Sequence, residues 1–483
     1  MSEPVIIQGG MGAGVSNWVL ARAVSKAGQL GVVSGTALDV IVARRLQNGD
    51  PEGHLRRAFT QFPAQDIVQR VLEKYFISGG KATEAPFKPT PMPTVAASVA
   101  HEELMVVANF AEVFLAKEGH AGLVGINFLE KIQLPTLPSL YGAMLAGVDY
   151  VLMGAGIPRE IPWVLDRLAQ HQEVSLKLHV EGAASDDEFK IHFDPKRFIT
   201  HELPELKRPK FLAVIASSTL ATALVKKATG RIDGFVIEGP TAGGHNAPPR
   251  GALQLTEQGE PVYGPKDVVD VEVIKKLGLP FWLAGSYGDP HRLTEALQMG
   301  AAGVQVGTAF AFCKESGIDD EIKVKLLQQV RLGKGEVFTD PLASPAGFPF
   351  KVVKLEHSLS EPEEYEARPR LCDLGFLRHV YLKADGSLSY RCPVEPEDLY
   401  VKKEGQLEET RSRKCLCNAL LATIGLPQRR RDGYLELPLV TAGDEFKHLA
   451  QFLKEGNTSY TAQEVIQCLL GHGSGAGIED HHG

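Results

Sequence analysis

The stretch GPTAGGHNAPPRG, residues 239–251, places two glycines directly before a histidine. Gly243 and Gly244 carry no side chains, so a flat ligand can lie against that backbone. His245 would then stand at the ligand's edge, where an imidazole can exchange a proton near neutral pH. Pro248 and Pro249 stiffen the loop that follows. Taken alone, the same letters also describe a glycine-rich turn with an incidental histidine. The elements around them must decide.

Those elements repeat. Short apolar runs occur at VIIQGGM (5–11), LGVVSG (30–35), LVGINFL (123–129), DYVLMGAG (149–156), FLAVIAS (211–217), GFVIEGP (234–240), FWLAGS (281–286) and AGVQVGT (302–308). Helical patterns lie between most of them, such as NWVLARAVSKAG (17–28) and HRLTEALQMG (291–300). Near-continuous apolar runs describe strands of a parallel sheet buried on both faces. Eight such units predict an α/β fold closed into a (β/α)8 TIM barrel. A helical stretch near 38–76 and a Pro-rich loop at 84–93 read together as one insertion, about 38–93. A second insertion, about 174–210, opens with alternating runs VSLKLHV (174–180) and EFKIHF (188–193), read as a hairpin whose polar face is solvated. The alternation stops after about residue 335. The chain therefore divides into a barrel, 1–350, and a small C-terminal accessory region, 351–483, that contains cysteines and ends in a disordered tail, 471–483.

Composition narrows the partners. The chain has 483 residues, 44% hydrophobic and 23% charged, with a formal charge of -8. That balance describes a globular protein without a basic nucleic-acid-binding surface. The first residues show no basic segment followed by an apolar one, and no apolar run reaches a membrane span. The expectation is a cytoplasmic protein with neither nucleic-acid nor membrane partner.

Small residues cluster where strands end, which is where this barrel places its chemistry. They are QGGMG (8–12), GINF (125–128), EGPTAGGH (238–245), LAGSYGD (283–289) and QVGT (305–308). The last two follow adjacent strands. Backbone amides at Gly285, Ser286, Gly307 and Thr308, with the hydroxyls of Ser286 and Thr308, suit a phosphate. There is no Walker lysine motif and no strand followed by G-x-G-x-x-G, so the phosphate reads as that of FMN rather than of ATP or a Rossmann-bound dinucleotide. A flavin needs a flat apolar slot, a few donors and a phosphate anchor.

In this order the five motifs resemble those of the nitronate monooxygenase (2-nitropropane dioxygenase) family, which is related to the flavin-dependent enoyl-acyl-carrier-protein reductases. The resemblance covers roughly residues 4–350. It implies an FMN-binding barrel in which Gly9, Gly10 and Met11 lie against the isoalloxazine and Asn127 contacts it. Glu238 stands where many relatives have glutamine. Gly243 and Gly244 would flank the ring, and Gly285, Ser286, Gln305, Gly307 and Thr308 would form the phosphate turns. His245 would be the catalytic base or the group that orients substrate. Three departures stand out: Thr241 where a glutamate is common, Ser286 where a second glycine is usual, and NAPPRG directly after the histidine. Both insertions and the C-terminal region are foreign to the smaller nitronate enzymes and look like those of larger flavin reductases beside polyunsaturated fatty acid and polyketide synthases.

The activity implied first is FMN-dependent oxidation of a small alkyl nitronate by O2 to a carbonyl compound and nitrite. A second reading is an enoyl-thioester (enoyl-ACP) reductase linked to fatty acid or polyketide synthesis, with NAD(P)H as reductant and an acyl carrier protein as partner. A third is a flavin-binding partner protein without turnover. The assembly expected is a homodimer. Four of six cysteines, Cys372, Cys392, Cys415 and Cys417, share one short window with spacing C-x19-C-x22-C-x-C. The spacing matches no pair of C-x2-C knuckles. Four ordinary reduced thiols without metal is the first reading; structural zinc is the alternative.

Overall fold

The eight apolar runs become eight strands: β1 (Ile6–Gln8), β2 (Gly31–Ser34), β3 (Val124–Leu129), β4 (Tyr150–Gly154), β5 (Lys210–Ile215), β6 (Gly234–Glu238), β7 (Phe281–Ala284) and β8 (Gly303–Val306). This is seen in a computed structural model of the chain, which describes residues 3–184, 186–199 and 201–471. Nearly all of the tail predicted to be disordered, 472–483, lies outside those residues. Each strand pairs in parallel with the next from β2 to β8, and β8 pairs in parallel with β1. A bridge between Ile7 and Leu30 joins β1 back to the chain entering β2. The sheet is the (β/α)8 barrel that the sequence predicts.

The seam between β1 and β2 has the least backbone to work with. The Leu30 amide donates to Ile6 O at 3.1 Å, and the Gln8 amide donates to Leu30 O at 2.9 Å. Beyond that point a side chain continues the ladder. Gln8 is fully buried. Its Nε2 donates to Val32 O at 3.2 Å, and its Oε1 accepts from Val32 N at 3.0 Å. The same Nε2 donates to Ser16 Oγ at 2.9 Å. Ser16 Oγ in turn accepts from Met11 N at 2.9 Å and donates to Gly9 O at 3.1 Å. Closure of the barrel and the shape of the QGGMG loop are therefore one network.

Inside the barrel, Ile7, Leu30, Val32, Tyr150, Leu152, Leu212, Val236 and Trp282 pack into a core of their own. Trp282 Nε1 donates to Pro4 O at 2.7 Å and satisfies the one polar atom of that indole. The larger apolar layer lies between strands and helices. Asn17 caps the helix Trp18–Lys26 by accepting from Leu20 N. The first insertion holds the helices Leu38–Gln47, His54–Phe59 and Gln65–Tyr75. A 19-residue helix that the sequence reading passes over, Val99–Lys117, follows it. That helix is buried on nearly every face because it is wedged between the insertion and the helices Trp18–Lys26 and Thr136–Leu145. The second insertion opens with the expected antiparallel hairpin, Val174–Lys177 with Lys190–Phe193, whose Lys177 and His192 face solvent.

Past residue 335, two further hairpins form, Val337–Asp340 with Phe350–Val353 and His379–Leu382 with Leu388–Arg391. Leu416, Leu439, Val440, Phe446 and Ile466 belong to the same apolar cluster as the barrel's outer layer. The helix Ala462–Leu469 lies against Trp18–Lys26. Among the described residues no helix is long and apolar enough to cross a membrane.

Replacing Gln8 with leucine leaves the buried N–H and C=O of Val32 without partners. The expected loss is about 3 kcal/mol, since each orphaned buried group costs roughly 1–3 kcal/mol. Urea denaturation of Gln8→Leu beside the native chain measures it; an unchanged midpoint would show that the seam does not depend on this side chain.

Candidate active site

A cavity of about 430 Å3 opens at the carboxyl ends of the strands. That volume lies within the range of small-molecule and cofactor sites. Every residue singled out from the sequence for cofactor or catalysis lines it: Gly9, Gly10 and Met11 after β1, Asn127 in β3, Glu238 ending β6, then Gly243, Gly244 and His245. Gly285 and Ser286 after β7, with Gln305, Gly307 and Thr308 around the end of β8, complete the set. Eight strands in one register bring residues from 9 to 308 to a single rim.

Two glycines are explained by close approach. A Cβ on Gly10 would sit 2.0 Å from Asn127 Oδ1, so only glycine lets the first loop cross the end of β3. A Cβ on Gly243 would sit 2.8 Å from the carbonyl carbon of Ala442 and from Gly443 N. Gly243 is therefore small because another part of the chain lies against it, whatever else it faces. That part is the C-terminal segment 440–445. Gly244 N donates to Thr441 Oγ1 at 2.8 Å, and Gly443 N donates to Thr308 Oγ1 at 2.8 Å.

His245 points into the cavity. Its Nε2 lies 2.6 Å from Ser344 Oγ. Ser344 Oγ also accepts from Ala346 N at 3.1 Å, so the serine is held in place as it meets the ring. Phe350 stacks edge-on to the imidazole at 4.9 Å between centroids, and Phe348 stands at 6.1 Å. The ammonium of Lys131 lies 3.5 Å from the Phe348 ring centre and donates to Ala346 O at 3.1 Å. Burial, helped by the positive charge of Lys131, pushes the imidazole down to about 4, so the ring is neutral at neutral pH. Glu238 shifts the opposite way. Burial without a cationic partner pushes its carboxyl up to about 7.

The phosphate turns are partly engaged from within the chain. Glu445 Oε2 accepts from Gly288 N at 2.9 Å. The same carboxyl also faces the amides of Thr308 and Ala309 and the Thr308 hydroxyl, while burial holds it above its usual range. Among the described residues the amides of Gly285, Ser286 and Gly307 have no hydrogen-bond partner. Thr308, expected from sequence as an open donor, is instead shared with Gly443 and Glu445. The helix it starts, Thr308–Ala311, is only one turn long.

Sequence alone does not mark the residues that close the site from afar: Lys131, Ser344, Phe348, Phe350 and Glu445. Their only local signal is the Pro- and Gly-rich run ASPAGFPF (343–350), a constrained loop. The four clustered cysteines lie apart from this cavity, around a second, very small one.

A barrel with a cofactor-sized cavity at its carboxyl rim can host many chemistries, and sequence comparison shows what the chain resembles. Residues 179–335, which span β5 to β8 and the GGH loop, match the family model "Nitronate monooxygenase". Through that segment the chain resembles the nitronate monooxygenases, as its motifs suggest. A probable nitronate monooxygenase of Bacillus subtilis (strain 168) is 35% identical over 124 residues, 26% of this chain and 34% of the relative. The (3aS,4S,5R,7aS)-5-hydroxy-7a-methyl-1-oxo-octahydro-1H-indene-4-carboxyl-CoA dehydrogenase of Rhodococcus jostii (strain RHA1) is 30% identical over 153 residues, 30% of this chain and 38% of the relative. The chain thus spans about a third of the length of these relatives. Among solved structures, FabK from Thermotoga maritima aligns over 97% of this chain and 92% of its own, at 16% identity and a TM-score of 0.45.

A neutral, half-buried imidazole has a stability consequence. The unfolded chain protonates His245 from about pH 6.5, whereas the folded chain keeps it neutral down to about 4. Between those values the unfolded state binds more protons, so stability falls as the pH drops and the penalty vanishes above 6.5. At about pH 5 it amounts to about 2 kcal/mol. Urea denaturation near pH 5 and pH 7.5 should show the native chain losing that much more than His245→Gln; equal losses would mean that the ring is solvated.

Proposed function

We propose that the chain is an FMN-dependent oxidoreductase that oxidises a small nitronate anion with O2, releasing a carbonyl compound and nitrite. The observation that carries this reading is the neutral imidazole of His245 facing an apolar cavity, with the ammonium of Lys131 in its field. A nitronate is already an anion, so it needs a positive field and a hydrogen-bonding partner more than a strong base.

The residues fit a flavin. Gly9, Gly10 and Met11 give a flat edge, and Asn127 Oδ1 is buried without a partner among the described residues. The free amides of Gly285, Ser286 and Gly307 suit a phosphate. FMN bound there would supply the electron transfer between substrate and O2. The chain supplies the rest. His245, fixed through Ser344, hydrogen-bonds the nitro oxygen; Phe348 and Phe350 exclude water from one side; Lys131 attracts the anion.

A second reading rests on Glu238. With its carboxyl near 7, it can hold a proton inside the cavity at neutral pH. That property suits reduction of an enoyl thioester by NAD(P)H, where the product needs a proton. The carboxyl-CoA thioester in the name of the Rhodococcus relative is consistent with a thioester at this site.

Anaerobic addition of an alkyl nitronate to the yellow holoprotein should bleach its visible flavin spectrum. His245→Ala should retain the flavin and cut turnover about 100-fold, in the usual range for a general base or orienting group. A spectrum indifferent to nitronate but bleached by NADPH would move the assignment to the thioester reductase. A chain that cannot take up FMN would end both readings.

Glu445 offers a separate check on the phosphate end. Its carboxylate, held by Gly288, Thr308 and Ala309, lies beside the free amides, where its charge opposes a phosphate. Glu445→Gln keeps the shape and removes the charge, so FMN should bind about tenfold more tightly, about 1.4 kcal/mol. Quenching of flavin fluorescence reads the affinity directly; weaker binding would show that the carboxylate serves the cofactor rather than opposing it.

A further inference from the structure

Four cysteines that are distant in sequence meet outside the active site. Cys372 precedes the strand His379–Leu382, and Cys392 directly follows the strand Leu388–Arg391. Cys415 caps the helix Leu416–Thr423, and Cys417 lies in its first turn. All four line one void of about 10 Å3, with Asp373 and Asn418 among its other walls. None of them forms a disulfide.

Backbone amides stand around the four sulfurs. The amide of Gly375 faces Cys372 Sγ, that of Val394 faces Cys392, and that of Asn418 faces Cys415. Two amides, of Phe376 and Leu377, face Cys417. Asn418 Nδ2 also reaches Cys415 Sγ at 3.6 Å. A neutral thiol is a weak acceptor, whereas a metal-bound thiolate gains from a donor such as Asn418 Nδ2. Charge of both signs surrounds the cluster. Arg378 and Glu395 stand near Cys372, and Arg368 and Glu436 near Cys415. Arg368 is itself paired with Glu436, and Lys403 with Glu395. The two acids are thus already matched, which leaves Arg378 to offset sulfur charge.

We propose that Cys372, Cys392, Cys415 and Cys417 bind one zinc ion as a structural four-thiolate site. Zn2+ takes the place of four thiol protons, which pass to solvent. Among the described residues no three of these sulfurs stand within 4.8 Å of one another. Tetrahedral bonds of about 2.3 Å require them to be closer than that. Binding therefore draws the two loops and the helix start together by side-chain rotation, which makes the ion a staple rather than a guest.

The staple bears on the active site. The helix that carries two of the ligands also places Leu420 and Thr423 on the wall of the large cavity. Thr423 Oγ1 donates to Leu439 O at 3.0 Å, and Leu439 leads into the segment that touches Gly243. Zinc would hold that wall from behind, and this role is independent of which substrate the cavity accepts.

Elemental analysis of the purified full chain should find one zinc per chain. Cys468→Ser, outside the cluster, should keep it, and Cys372→Ser should lose it. Because a cysteine variant can fail to fold, exchange of the native chain with Co2+ gives a second readout. Four thiolates produce intense tetrahedral d–d bands to the red of flavin absorption together with thiolate charge transfer. Iron with inorganic sulfide, or neither zinc nor iron in protein whose thiols react with a disulfide reagent, would overturn the proposal. So would a pale six-coordinate cobalt spectrum.

Discussion

The barrel depends on a side chain that behaves as backbone. A parallel ladder needs N–H and C=O groups on both strands, and β1 has only three residues to offer. The Gln8 amide carries one donor group and one acceptor at the reach of the next peptide, and it bonds both polar groups of Val32. Because it also grips Ser16, and Ser16 grips Gly9 and Met11, the first loop of the rim cannot move without loosening the seam. The flat edge at Gly9 and Gly10 is thus rigid for a reason that begins in the barrel wall. Preorganisation of this kind means that a ligand meets its contacts without paying to order them.

The other side of the cavity is built by a part of the chain far away in sequence. Segment 440–445 crosses the rim between the loops after β6 and β8 and is tied to both, through Gly244 and Thr308. This accounts for the glycines before His245 in a way the sequence cannot. Gly243 gives room to Ala442 and Gly443, so a larger residue there would displace the rim strap whether or not a ligand is bound. His245 is held likewise by Ser344, a hundred residues later in the chain. Hence 351–483, set apart on composition, contributes directly to the wall of the site.

What the sequence shows well is whatever is local and repeated. All eight strands are legible because each is a short apolar run ended by small residues, and the rim residues follow because strand ends share one face of a closed sheet. The hairpin at 174–193 is legible from strict alternation. Helix Val99–Lys117 is not, because burial on all sides removes the polar stripe that would mark it. Ser344, Lys131 and Glu445 are not legible either: each reaches the site through a loop whose position is set by tertiary packing and has no period. Thr308 looks like a free donor in sequence because nothing near it shows that Gly443 and Glu445 will use it.

The cavity separates its ionisable groups by environment alone. Burial raises the carboxyl of Glu238 and lowers the imidazole of His245, so near neutrality the acid is part protonated and the base is neutral. Two groups pushed in opposite directions give one site both a proton holder and a proton acceptor. Lys131 adds a cation that lowers His245 further and leaves the field at the imidazole positive. An anionic substrate entering beside Phe348 relieves that field. It would raise His245 toward its ordinary value, so the imidazole takes up a proton more readily only once the anion is present. A neutral thioester gives no such relief and would rely on Glu238 for its proton. The two readings therefore place the working proton on different residues of the same rim, and the charge of the substrate decides which residue holds it.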